Sequence, residues 1–302
     1  MINQVTGGSF GELVENARSA CRGGPMVNAI LSVDLPFPLL NDHFIQGYLK
    51  RAEDWQNKTR PPALYINHGE YMHRHGDALE YLAEELKAKP TGNRACVILI
   101  DTKDLIGSAD EPRPSFLLLQ AGFDERQHGK LHLTAYYRAL EVSGFLPINL
   151  AELALVASNL RMRISSISSL SLVIHAFRAY AAAGFTRLER PKLDSLTTGE
   201  INGLVRARDV AEIGGLLAEK LRPTTVVELG GISMLRTELE ASGWCSREAL
   251  DYLDKAISAL TQLREARRSG SHARSLAELH EDAVGAIEAS LEAMRRQEDA
   301  AG

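Results

Sequence analysis

The segment Leu131–Asn149, LHLTAYYRALEVSGFLPIN, constrains this chain more than any other because its hydrophobic period changes midway. Leu131, Leu133, Ala135 and Tyr137 alternate with His132, Thr134, Tyr136 and Arg138, and a period of two puts each set on one face of a β-strand. The alternation predicts a strand that carries Arg138 near its end. Ser143 and Gly144 then break the pattern, and Pro147 and Asn149 precede an apolar helical run, with Asn149 the expected N-cap. A charged side chain therefore sits where a strand gives way to a loop and a helix. At such a junction a rigid element aims the side chain and the loop leaves room for a ligand. A surface arginine beside a helix cap is the plainer reading of the same residues.

The flanking sequence supplies the rest of a mixed domain. Ser9 and Glu12 have capping-box spacing ahead of Leu13, Val14 and Ala17, which predicts a helix to about Cys21. Val27–Val33 reads as a buried strand, and Phe44, Tyr48, Leu49 and Ala52 predict a helix over 41–55. Leu79, Leu82, Ala83 and Leu86 form a further helical stripe. Ala95–Ile100, Pro114–Ala121 and Ser169–Ile174 read as strands, with a helix from Asn149 to about Arg163. Without strict alternation of strand and helix, an α+β domain with a mixed sheet is expected rather than a doubly wound one. From about Lys192 the composition turns helical. Leu250, Leu253, Ile257, Leu260 and Leu263 make one stripe, and Leu276, Leu279, Ala283, Ile287, Leu291 and Met294 a second. They predict an antiparallel helical hairpin, Ser246–Arg296, whose plain role is packing on the main domain or on a second copy. The expected organisation is a domain over 1–190 and a helical extension over 191–302.

Composition narrows the function classes. A net charge of -5 with both signs interspersed lacks the basic footprint of a sequence-independent nucleic-acid binder. The three cysteines, Cys21, Cys96 and Cys245, have no metal-ligand spacing, which fits a reducing compartment. No apolar run is long enough to span a bilayer, and MINQVTGG lacks the features of a secretion signal, so the cytoplasm is the expected address. His68, His73 and His75 invite a metal reading, but no carboxylate or thiol motif completes a ligand set, and a polar loop or partly buried histidines are expected instead. No glycine-rich phosphate loop is present.

Four segments, in order, resemble the thymidylate synthase family. YYRALEVSGFLPIN is similar to its Arg-Ser-x-Asp pattern with a downstream Asn, which places Arg138, Ala139, Glu141 and Asn149. SLSLVIHAFRAY is similar to the strand ending in His-Ile-Tyr, with Arg178, Ala179 and Tyr180 in those places. KPTGNRACVILID resembles the Ser-Arg-Arg segment, with Asn93 and Arg94 at the arginine positions. PSFLLLQ resembles the nucleophile strand, with Pro114, Ser115 and Gln120 where the family has Pro-Cys and a glutamine. The resemblance covers about residues 76–180 and ends by about 190. It implies an α+β fold, a homodimer formed through the sheet, and a dUMP-like pyrimidine nucleotide as ligand. By the same resemblance Arg138 binds phosphate in its own subunit and Arg94 reaches the same group across the dimer. Asn149 reads the pyrimidine ring and Tyr180 the sugar hydroxyl, and Gln120, Glu141 and Arg178 complete the substrate-binding set.

Departures from the pattern bear on chemistry. The family's cysteine adds to C6 of the pyrimidine, and Ser115 stands in its place. A thiol ionises near neutral pH in an electropositive site, whereas serine needs an adjacent base. His175 is the candidate nearest in sequence, although a core histidine is the simpler reading, and Cys96 in ACVILI reads as core. Ala139, Glu141 and Arg178 replace Ser, Asp and His. The implied cofactor is a tetrahydrofolate one-carbon donor, yet MRRQEDAAG does not resemble the apolar segment that closes over folate. Three functions are open to such a chain. The first is a pyrimidine-nucleotide binder, catalytically degenerate because of Ser115. The second is an active folate-dependent C5 methyl or hydroxymethyl transferase, and the third a scaffold acting through its C-terminal helices.

Overall fold

The computed structural model describes residues 3–106, 112–127, 129–182, 189–222, 226–268 and 273–301. Contacts gather into two units, residues 1–61 with 66–185, and residues 62–65 with 186–302.

The first unit begins with β1 (Asn3–Gly7) and α1 (Phe10–Ala20). Ser9 Oγ accepts from Glu12 N at 3.1 Å and the Glu12 carboxylate reaches back to Gly8 N at 2.7 Å, so α1 starts where the capping residues require. It buries Phe10, Leu13, Val14 and Ala17. After β2 (Met26–Pro36), the helix expected over 41–55 is two short ones, α2 (His43–Gln46) and α3 (Leu49–Gln56). Asp42 starts α2 by accepting from Phe44 N and Ile45 N, and Gly47–Tyr48 interrupts the run. There follow α4 (Gly69–Met72), α5 (Ala78–Ala88), β3 (Cys96–Ile98), α6 (Thr102–Leu105), β4 (Phe116–Phe123), β5 (Lys130–Tyr137), β6 (Leu140–Glu141), α7 (Phe145–Arg163) and β7 (Ser169–Tyr180).

The strands form one mixed sheet in the order β1-β2-β7-β5-β4-β3, with β6 continuing alongside β7 past the end of β5. β1 is parallel to β2 and β5 to β7, and the other main pairings are antiparallel. Leu131, Leu133 and Ala135 of β5 align with Leu170, Leu172 and Ile174 of β7 and Val33 and Leu31 of β2, all buried. α7 carries apolar residues all round and is buried along most of its length, as such a helix must be. The opposite sheet face carries Ile30, His175, Tyr136 and Leu118 in one cross-strand row, with the Tyr136 and His175 rings stacked at 4.9 Å.

Strand alternation breaks at one level of this sheet. In β2 burial skips from Met26 to Ala29, in β7 from Ala176 to Ala179, and Asn28 between has φ 54°. One level away, the β4–β5 register shifts between Phe116 and Leu118. Such irregularities re-aim side chains and often adjoin functional sites.

The second unit is helical: α8 (Lys192–Ser195), α9 (Thr198–Ala207), α10 (Val210–Lys220), α11 (Gly230–Ser242), α12 (Arg247–Arg268) and α13 (Ala273–Ala301). Thr197 and Glu200 form a full capping box at the start of α9. The expected C-terminal hairpin is present as α12 and α13. It is antiparallel, since Ser290 Oγ donates to Ala249 O at 2.8 Å and Arg296 pairs with Glu248 at 3.2 Å. Leu253, Ala256 and Leu260 face Ala283, Ile287 and Met294 in a core that α9, α10 and α11 also enter. The α+β class expected from the sequence is therefore what the chain adopts. No helix among the described residues is long and apolar enough to cross a membrane.

In the second unit Lys220 Nζ forms a buried ion pair with Asp194 and also donates to Glu228 O at 2.6 Å. Burial pushes the Asp194 carboxyl up, against the pull of Lys220. Removing one partner strands the other charge, whereas removing both does not. Lys220→Met is expected to cost about 3–5 kcal/mol in urea unfolding monitored by Trp244 fluorescence, and Asp194→Leu in the same chain to recover most of it.

Candidate functional site

Ser115 and Arg138 meet at the end of the sheet. Phe116 opens β4 and pairs with Tyr137, which closes β5, and one step further out Arg138 N donates to Ser115 O at 2.9 Å. The guanidinium turns back over the chain approaching Ser115, with Nε donating to Pro114 O at 3.3 Å and Nη2 to Arg113 O at 2.9 Å. Arginine has five N–H donors, so most of the group's capacity is left over. The residue is exposed at the step between β5 and β6.

Glu141 sets the start of α7. Its Oε1 accepts from Ser143 N at 2.8 Å and Ala182 N at 3.1 Å, and its Oε2 from Gly144 N at 2.7 Å and Phe145 N at 3.2 Å. These include the first amides of the helix, which a negative charge also favours through the helix dipole. The N-cap expected at Asn149 is thus corrected. The helix begins four residues earlier, at Phe145, because a carboxylate from the preceding strand caps it. Both carboxylate oxygens of Glu141 are committed to the backbone. Tyr180 is aligned with Glu141 between β6 and β7, and burial, then the Glu141 charge, push its phenol up while Arg178 pulls it down. Arg178 itself is exposed.

Asn149 lies in the second turn of α7, 8% exposed, and Glu152 three residues on is 1% exposed. Spacing of three puts both on one helix face. Both Glu152 oxygens meet His68 Nδ1, at 2.8 and 3.0 Å. Burial raises the Glu152 carboxyl and His68 opposes that rise. His68 is held by stitching on either side. His68 N donates to Trp55 O at 2.8 Å and Asn67 Nδ2 to Asn57 O at 2.5 Å. Gly69 packs so close that a Cβ would lie 2.1 Å from Asn57 O, so only glycine fits. The imidazole lies 4.9 Å from the Trp55 ring and 5.4 Å from Phe116, and Phe116 stacks on Tyr137 at 4.8 Å and 9°. This cluster links the helix of Asn149 to the strand ends carrying Ser115 and Arg138. The sequence reading missed it, although one signal was there: Glu152 is the sole charge in the run from Val142 to Leu160. A lone acid in a buried helix needs a partner.

Two expected residues sit elsewhere in the same subunit. Gln120 is opposite Cys96 and Thr134, with Nε2 donating to Asn93 O at 3.3 Å. Arg94 is nearby, its side chain 79% exposed and 3.9 Å from Glu85. Along β4 these lie about 16 Å from Ser115, the length of five strand residues. His175 is a half-buried residue on the open sheet face rather than a core histidine, and Cys96 is likewise half-buried rather than core. Burial raises the thiols of Cys21, Cys96 and Cys245, the last to about 11, so none is primed as a nucleophile. No group of three metal-ligating side chains occurs among the described residues.

Comparison with known proteins adds a structural likeness. No family model matches this sequence, and no curated protein does. Among solved structures, the thymidylate synthase from T4 phage is similar with a TM-score of 0.34 and 18% identity, over 44% of this chain and 46% of the phage enzyme. The chain thus spans less than half the length of that enzyme.

Glu141→Ala would leave four backbone amides without their acceptor. It is expected to lower stability by about 3–5 kcal/mol in denaturant unfolding, with Glu141→Gln costing roughly half as much because the amide oxygen still accepts.

Proposed function

We propose that this chain binds a pyrimidine nucleoside monophosphate of the dUMP type, as a homodimer in the cytoplasm, without a full thymidylate synthase cycle. The observation that carries the reading is the Ser115–Arg138 pair. These residues are distant in sequence and joined by a backbone hydrogen bond, with a guanidinium left exposed beside a half-buried serine. A guanidinium fork suits a phosphate dianion. Asn149 and Tyr180 are the groups assigned to ring and sugar, and Arg178 is a second cation near Tyr180.

Degeneracy is favoured over catalysis by the surroundings of Ser115. No described residue hydrogen-bonds its hydroxyl, so nothing is positioned to take its proton. The Glu141 oxygens, committed to backbone amides, are assigned to holding α7 rather than to substrate. The dimer reading is supported by the open sheet face, where Phe177 is 65% exposed beside the stacked Tyr136 and His175. It is also supported by Arg94, which is too far along β4 to serve the site of its own subunit.

Calorimetric titration with dUMP tests the reading. Arg138→Ala is expected to weaken binding about 30- to 150-fold, equivalent to about 2–3 kcal/mol, while Ser115→Ala changes it little. Absence of binding by the unaltered protein would reject the proposal in favour of the scaffold reading.

The shared phosphate site has its own test. Protomers carrying Arg94→Ala mixed with protomers carrying Arg138→Ala should regain one intact site per heterodimer. A mixture that binds no better than either parent excludes sharing.

A further inference from the structure

The chain enters and leaves the second unit within a few residues. Pro62–Tyr65 counts with the helical unit, whereas the chain up to Pro61 and again from Ile66 belongs to the first. Bonds within the second unit hold this short segment. Arg190 N donates to Ala63 O at 2.7 Å, and Leu64 forms an antiparallel bridge with Glu189. Ser195 Oγ donates to Pro62 O and the Tyr65 hydroxyl to Val226 O, each at 3.4 Å. Leu64 and Tyr65 are buried. The gripping segments are in turn fixed by charge. Arg190 Nε bonds Glu228 at 2.8 Å, Glu228 O accepts from Lys220 Nζ, and Lys220 pairs with Asp194, the residue before Ser195.

Three residues on from Tyr65 stands His68. Asn67 and His68 are buried, and their bonds to Asn57 O and Trp55 O close the loop 58–66 at its base. His68 also opens α4, and its imidazole holds Glu152 of α7. The three steps from Tyr65 to His68 span about 11 Å at most, so a residue held by the second unit is tied closely to one that anchors α7. A long flexible linker absorbs motion at one end, and a tether this short does not. Gly69, fitted against Asn57 O with no room for a Cβ, leaves little slack at the base.

We propose that Pro62–Tyr65 is a strap through which the second unit controls the His68–Glu152 anchor of α7. Seated in the grip of residues 189–228, the strap keeps His68 at Glu152; unseated, it lets His68 leave. Seated and unseated are the two states that such coupling needs, because an influence passes between sites through an element both can bias. The effect is reciprocal, so whatever fixes α7 also favours the seated strap. The inference concerns regulation and stands apart from the nucleotide reading.

Hydrogen exchange followed by NMR on the full chain tests the strap. The probes are the His68 amide, which donates to Trp55 O, and the α7 amides from Phe145 to Glu152, with α1 and β2 as the reference. Leu64→Ala removes a buried apolar anchor of the strap, and Lys220→Met loosens the segments that grip it. Each should speed exchange at His68 and at the start of α7 about tenfold or more, with α1 and β2 unchanged. Inserting Gly-Ser-Gly between Tyr65 and Ile66 should give the tether slack, so that Lys220→Met in that chain speeds exchange in the second unit alone. Should the Leu64→Ala chain not fold, Lys220→Met gives the same reading. Faster exchange in the second unit of Lys220→Met with His68 unchanged overturns the strap. Equal acceleration in α1 and β2 also overturns it, since the chain would then open as one body. An effect of Lys220→Met on His68 that survives the insertion does so too, because the coupling would run by another route.

Discussion

The arrangement in the first unit depends on one carboxylate and the four amides it gathers. By accepting from the chain ahead of α7, from its first turn and from Ala182 beyond β7, Glu141 sets both where the helix starts and how it meets the sheet. Everything along α7 inherits that setting. Asn149 and Glu152 are separated by a single turn, so an error in the helix start would re-aim both and carry Glu152 away from His68. A carboxylate accepting several backbone donors is a rigid joint, because each bond constrains the direction of the others.

A second constraint comes from the sheet. β2 and β7 break alternation at the same level, and β4 breaks register against β5 one level away. In regular strands a side chain's face follows from its position alone. Where the period fails, residues that would face solvent turn inward and the reverse. The interruptions lie at the end of the sheet where Ser115, Arg138 and Tyr180 are found. Extra backbone freedom is therefore concentrated beside the polar cluster, while the other end of the sheet stays regular.

Much of this was legible in the residues. The period-two runs gave most of the sheet, the capping spacing of Ser9 and Glu12 gave α1, and the leucine stripes gave α12 and α13. What failed did so for physical reasons. Asn149 has the chemistry of a cap, but Glu141, eight residues upstream, supplies the acceptor, and a non-local cap leaves no mark at the helix start. The helix over 41–55 was interrupted because Asp42 starts its own short turn before Gly47. β1 escaped notice because only Val5 of its five residues is buried, leaving little hydrophobic pattern to read. The Ser115–Arg138 neighbourhood followed from segment order, whereas His68 and Glu152 are joined across 84 positions and no local period connects them.

The sheet order also bears on how the chain is made. β2 takes its antiparallel partner from β7, and β5 takes β7 as its parallel neighbour through the crossover α7. Until Ser169–Tyr180 has been synthesised, β2 has β1 on one side and nothing on the other, and β5 has only β4. At about 5–20 residues per second, the ribosome leaves the β2 edge waiting roughly 7–30 s. The β5 edge is bare only for the later part of that interval, and both edges are closed by one strand that arrives last. The first unit thus assembles around its final strand, and the nascent chain is most exposed to mispairing just before β7 emerges.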